Sequence, residues 1–169
     1  MTSQEWIKLT DYLAENPIKG FSVSQVPNVI PYWVIEEQVG IYQFKMRRFI
    51  SGKRLTDHDD LGLIGLNSLN LKDRHCFLTE GVTDFITKKL HFPNSNVLGV
   101  LNLSGSATAR QILRYLFDSY TIIMDNDTTG VKNASNFRRI LTSMYKTVKF
   151  ELPPYQSKDY SEYFLNHVI

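Results

Sequence analysis

Two short stretches of the chain end an apolar run on an acid. "CFLTEGVTD" carries Glu80 ahead of Gly81 with Asp84 four residues on, and "TIIMDNDTTG" carries Asp125 and Asp127 ahead of Gly130. Carboxylates are hard oxygen ligands, and a magnesium-class cation takes one or two of them together with waters and substrate phosphates. Without a cation, acids gathered at one point repel and raise one another's pKa; a divalent ion removes the conflict. The chemistry on offer is metal-assisted work on phosphate. Gly81 and Gly130 let the backbone turn sharply and leave such a site open. Each piece also has a plainer reading. Asp125, Asp127 and Thr128 suit a turn and the N-cap of a helix, Glu80 suits a solvated strand end, and Asp84 suits an exposed first-turn acid favoured by the helix dipole. Two acid-ended apolar runs together favour the metal, and Asp84, one helical turn from Glu80, can face the same edge.

The elements that must position these acids are legible from periodicity. "CFLTE" (76–80), "NVLGVLNL" (96–103), "TIIMD" (121–125) and "KTVKFEL" (146–152) read as strands, the last stopped by Pro153 and Pro154. Between them "GVTDFITKKLHF" (81–92), "SATARQILRYLF" (106–117, opened by Ser106) and "TGVKNASNFRRILTSMY" (129–145) read as helices. Strands alternating with helices of this length predict crossover units, hence an α/β fold with a mainly parallel four-stranded sheet flanked by helices. Ligands gather beyond the carboxyl ends of such strands. If the strands ending at Glu80 and Asp125 are neighbours, the carboxylates converge.

The first part of the chain follows another pattern. "QEWIKLTDYLAE" (4–15) is helical, with Pro17 and Gly20 ending it. "IYQFKMRRFI" (41–50) alternates as a strand, "LGLIGLNSL" (61–69) is its expected partner, and "SGKRLTDHDD" between them is a polar connection. The change of pattern divides the chain into a small α+β subdomain (1–74) and a metal-binding domain (75–169). Lys45, Arg47, Arg48, Lys53 and Arg54 fall within ten residues, with Tyr42 and Phe44 interleaved. The basic cluster suits phosphate contact; the aromatics, with Met46, suit inward packing.

Composition bounds the remaining classes. The 169 residues carry a net charge of +2 and are 43% hydrophobic and 12% aromatic, so a sizeable core is available and any basic surface must be local. One cysteine, Cys76, excludes an internal disulfide and a cysteine-based zinc cluster and reads as a small hydrophobe. No apolar run reaches the ~20 residues of a membrane span, and "MTSQEW" lacks the regions of a signal peptide. The expectation is a soluble protein of the cytoplasm. His75 and His91 lack ligand spacing, His58 sits in a polar loop, and "YSEYF" is expected to pack a last helix on the sheet.

Residues 75 to 165 resemble a Toprim domain of the bacterial and phage primase type. Toprim domains carry a glutamate after the first strand and Asp-x-Asp after the third, which here match Glu80 within "EGVTD" and Asp125 and Asp127 within "DNDTTG". "GVLNLSG" (99–105), ending on Gly105, and "SKDYSEYF" (157–164), with Lys158 and Asp159, look most like primases. The resemblance implies a Rossmann-like fold and a minimal primase core of the bacterial cytoplasm, phage- or mobile-element-encoded. Its implied activity is synthesis of short RNA primers on single-stranded DNA from nucleoside triphosphates. Mg²⁺ or Mn²⁺ would be held by Glu80, Asp125 and Asp127, with Asp84 joining. Lys45, Arg47, Arg48, Lys53, Arg54 and Lys158 would bind template or triphosphate. The chain has no zinc-binding cysteine set and no Gly-x-x-x-x-Gly-Lys-Ser/Thr run. A separate helicase or start-site-recognition protein is therefore an implied partner. The same carboxylates would serve a Toprim nuclease, and a non-catalytic nucleic-acid-binding replication subunit is the remaining alternative.

Overall fold

Helix α1 (Ser3–Glu15) opens on a reciprocal cap: Thr2 Oγ1 accepts the Glu5 N–H at 3.2 Å, and the Glu5 carboxylate accepts the Thr2 N–H at 2.6 Å. Two donors that a first turn leaves open are thereby satisfied. The computed structural model describes residues 1–24, 32–35, 38–39, 42–43, 47–50, 53–54, 62–101 and 107–169, and from 32 to 54 it is described by backbone. Phe44, Lys45, Met46, His58, Gly105 and Ser106 lie outside the described residues.

Among the described residues six short strands follow α1: β1 (Phe21–Ser24), β2 (Tyr32–Ile35), β3 (Gln38–Val39), β4 (Tyr42–Gln43), β5 (Arg47–Ile50) and β6 (Lys53–Arg54). β1, β2, β5 and β6 form an antiparallel sheet in that order, and β3 with β4 forms a separate ribbon. Two expectations change here. Within "IYQFKMRRFI" the described residues form two pieces, β4 and β5, that pair with different neighbours; alternation alone cannot tell one strand from two. β7 (Leu63–Ile64) does not pair with β5, whose two edges are already taken by β2 and β6. It lies antiparallel on β9 instead, with both residues buried.

The second sheet is built from β8 (His75–Glu80), α2 (Gly81–His91), β9 (Val97–Val100), α3 (Ala107–Leu116), β10 (Ser119–Ile123), α4 (Thr128–Ser143), β11 (Thr147–Glu151) and α5 (Tyr160–His167). Its order is β11-β10-β8-β9-β7. The four expected strands are parallel, and β7 adds an antiparallel fifth. Continuous apolar runs make β8, β9 and β10 because both their faces are covered, whereas the outer strand β11 is mostly exposed. Cys76, Leu78, Leu98 and Val100 pack with Leu113, Phe137 and Leu141 of α3 and α4. On the other face Phe85, Ile86 and Val97 pack with Trp6 and Leu9 of α1 and Phe164 of α5. Among the described residues no helix is long and apolar enough to cross a membrane.

This topology creates the crevice. From β8 the chain crosses to β9 on one side, then returns past β8 to place β10 on the other. Strand order reverses at β8, and ligands bind at such switch points beyond the carboxyl ends of the strands. Thr79 pairs with Ile123, so Glu80 and Asp125 both follow directly from neighbouring strand ends.

Candidate metal centre

Glu80 ends β8 and precedes α2, yet its side chain makes no cap bond to that helix. Gly81 has φ +75°, a left-handed conformation that a side chain would resist, and this allows the abrupt strand-to-helix turn. Glu80 Oε1 accepts a hydrogen bond from Asn133 Nδ2 of α4 at 3.0 Å. Oε2 is buried and has no hydrogen-bond partner among the described residues. An orphaned buried acceptor costs about 1–3 kcal/mol, more when it is charged, and calls for a missing partner.

Asp125 lies in the neighbouring loop. Burial, then the charges of Glu80, Asp159 and Asp127, push its pKa up to about 6 against the opposing charge of Lys158. Asp127 caps α4, accepting the Gly130 N–H at 2.8 Å, so the plainer role foreseen for it is real. A carboxylate has lone pairs to spare beyond one such bond. Gly130 itself is pressed against the loop: a Cβ there would stand 2.0 Å from the Asp125 carbonyl oxygen.

The plainer reading of Asp84 fails. It is 3% exposed, and its Oδ1 accepts the Ser161 N–H at 2.9 Å from the first turn of α5. Burial, then the Asp159 charge, push its pKa up to about 8. Asp159 caps α5, accepting the Glu162 N–H at 2.7 Å and the Ser161 hydroxyl at 2.8 Å. The Asn126 N–H donates to the Lys158 carbonyl at 2.6 Å, which joins the Asp125 loop to the entry of α5. Lys158 is exposed.

Glu80, Asp84, Asp125 and Asp127 thus lie at or just beyond the carboxyl ends of β8 and β10, though among the described residues no three His, Cys, Asp or Glu side chains stand close enough to hold an ion between them. Arg47, Arg48, Lys53 and Arg54 fall on β5 and β6, described by backbone. His75 bonds Ser119 and Thr121, and His91 bonds Tyr160. One residue of the site, Asn133, escaped the sequence reading, and another, Asp159, was named there without a role. Asn133 lies beside the buried stripe Gly130, Ala134, Phe137 and Leu141 of α4, and a polar residue there was the available signal. Asp159 carries charge into the site, whereas the sequence assigned a role to Lys158 alone.

Residues 77–164, just over half of the chain, match the Toprim-like family. The chain belongs to the Toprim family. No curated protein matches it. Solved structures similar to it include a chain of a bacteriophage T7 complex in which lagging-strand DNA polymerase meets primase domains bound to an RNA/DNA hybrid and dTTP. That likeness is at 17% identity over 92% of this chain and 80% of the other, with a TM-score of 0.57. The DnaG primase catalytic domain bound to single-stranded DNA matches at 16% identity over 81% and 48%, with a TM-score of 0.63. The Escherichia coli primase catalytic core matches at 15% identity over 83% and 52%, with a TM-score of 0.61. The fold is that of primase catalytic cores, and the chain spans about half the length of those two DnaG-type chains.

The acids of this Toprim domain fit the divalent ion the family implies. Among the described residues Glu80 Oε2 lacks a partner, and Asp125 is raised first by burial and then by the like charges of Glu80, Asp159 and Asp127, which a cation would relieve.

Proposed function

We propose that this chain is a primase core that synthesises short RNA primers on single-stranded DNA from nucleoside triphosphates. The observation that supports this reading is the buried Glu80 oxygen that lacks a partner among the described residues, at the end of a strand whose neighbour leads into the Asp125 and Asp127 loop. Glu80, Asp125 and Asp127 would hold Mg²⁺ or Mn²⁺, with Asp84 behind them. A bound divalent ion neutralises the triphosphate and stabilises the attacking and leaving oxygens of an in-line displacement. Asn133 holds one oxygen of Glu80 and leaves the other without a partner among the described residues. Asp127, tied to the start of α4, has its rotamer set before any ligand arrives. Lys45, Arg47, Arg48, Lys53, Arg54 and Lys158 would bind template or triphosphate, and a helicase or start-site protein would act as a separate partner.

The test is to incubate the chain with single-stranded DNA, labelled nucleoside triphosphates and Mg²⁺ or Mn²⁺, beside an Asp125→Ala/Asp127→Ala variant. Short RNA products are expected, reduced at least about 100-fold in the variant, since even losing a group behind a metal ligand costs 10–100-fold. Metal-dependent DNA degradation lost in the same variant would replace this reading with a nuclease. Binding of DNA without either activity would leave a non-catalytic replication subunit.

A further inference from the structure

One face of α2 grips the first turn of α5 through three ionisable residues. Asp84, Lys88 and His91 are spaced i, i+4 and i+7, which lines them up along the helix. Asp84 accepts the Ser161 N–H at 2.9 Å, and His91 Nδ1 lies 2.8 Å from the Tyr160 hydroxyl. Lys88, between them, is 6% exposed. Its Nζ stands 4.5 Å from the ring centroid of Phe77, 4.3 Å from that of Phe92 and 4.6 Å from that of Tyr160.

Those rings come from β8, from the turn after α2 and from the first residue of α5. Packing alone would be served by methionine, an unbranched chain of similar reach that fills irregular gaps. An ammonium does more, because it attracts the faces of rings and so sets their orientation. Burial lowers the Lys88 pKa to about 8, so at pH 7 most molecules keep the charge that the rings attract. Asp159 immediately precedes Tyr160, and Lys158 is bonded to the loop between Asp125 and Asp127.

We propose that Lys88 is a positioning residue: by gathering Phe77, Phe92 and Tyr160 around its ammonium it fixes the first turn of α5, and with it Lys158 and Asp159, against Glu80, Asp125 and Asp127. The proposal rests on the metal-site reading above. Lys88 touches neither substrate nor ion; it acts through Tyr160.

The test uses Lys88→Met, Phe92→Leu and the double variant. Amide exchange of Ser161 and Asn126 is followed by NMR in metal-free protein, and Mn²⁺ binding by the EPR signal of the free ion. Lys88→Met is expected to fold with a circular dichroism spectrum like the parent's. Its Ser161 and Asn126 amides should exchange at least about tenfold faster, and Mn²⁺ should bind about tenfold more weakly, the effect of disturbing a group behind a metal ligand. Phe92→Leu should shift both readouts in the same direction. The double variant should be no worse than Lys88→Met, since both act through one cage. A folded Lys88→Met with parental exchange and parental Mn²⁺ affinity overturns the proposal. Should Lys88→Met unfold, Phe92→Leu decides by the same readouts. A parent chain that binds no Mn²⁺ overturns the metal reading instead, and the exchange rates then decide whether the cage holds α5.

Discussion

Gly130→Ala is expected to destabilise the chain by about 3 kcal/mol and to weaken Mn²⁺ binding with it, although the position is helical. Two effects of opposite sign compete there. In an exposed helix interior, alanine is favoured over glycine by up to about 1 kcal/mol. Here the added methyl would stand 2.0 Å from the carbonyl oxygen, 2.7 Å from the carbonyl carbon and 2.9 Å from the Cα of Asp125. The obstacle is backbone rather than the end of a flexible side chain, so relief requires the loop to move. Overpacking costs about 1–3 kcal/mol even where side chains can give way, so the clash wins over propensity. The residue displaced is a proposed ligand, hence the coupled loss of metal affinity. At about 2–4 °C per kcal/mol for a chain of this size, thermal unfolding should fall by roughly 6–12 °C. An alanine variant as stable as the parent would refute the close packing of α4 on the Asp125 loop.

The second large effect has the reverse direction. Asp84→Asn is expected to stabilise the metal-free chain at pH 7 by about 2 kcal/mol or more. The amide keeps an acceptor for the Ser161 N–H and removes the charge that burial and Asp159 oppose. The sign follows from linkage. A folded pKa of about 8 against the ordinary 3.8 means that the folded state binds the extra proton between those limits. Stability of the parent therefore falls as pH rises from about 4 to about 8, by up to about 1.4 kcal/mol per unit. The amide of the variant has no such proton to bind, so the gap between variant and parent should be widest near pH 8 and close by about pH 4. Urea unfolding across that range in a chelating buffer measures it; a gap independent of pH would sink the explanation. Stability given up at a functional carboxylate is the usual trade, and if Asp84 belongs to the proposed metal site, Mn²⁺ should restore more of it to the parent than to the variant.

What the sequence disclosed follows from how local each signal is. The runs ending at Glu80 and Asp125 were legible because parallel strands are buried on both faces and write continuous apolar stretches, and the alternation with helices then placed both acids at strand ends. The surroundings of Asp84 were not legible, because the amide that receives it belongs to Ser161, 77 positions away. Asn133 meets Glu80 across 53 positions and reads locally as one more polar residue on a helix. The partner of β7 was hidden for a related reason. "LGLIGLNSL" carries the apolar character of a buried strand, but which free edge accepts it depends on β2 and β6 having already occupied β5.

The pairing of α1 with α5 gives the molecule an order of assembly. Lys8 Nζ donates to the carbonyls of Leu165 at 3.2 Å and Ile169 at 2.9 Å, and Trp6 and Leu9 are buried in the same cluster as Phe164. A ribosome releases α1 first and its partner some 157 residues later. At about 5–20 residues per second that interval is roughly 8–30 s, during which Trp6, Leu9 and Leu13 have yet to meet α5. Refolding from denaturant imposes no such wait, so the exposed stripe of α1 is a hazard of synthesis more than of refolding. A holding chaperone would find its natural target in α1 of the nascent chain.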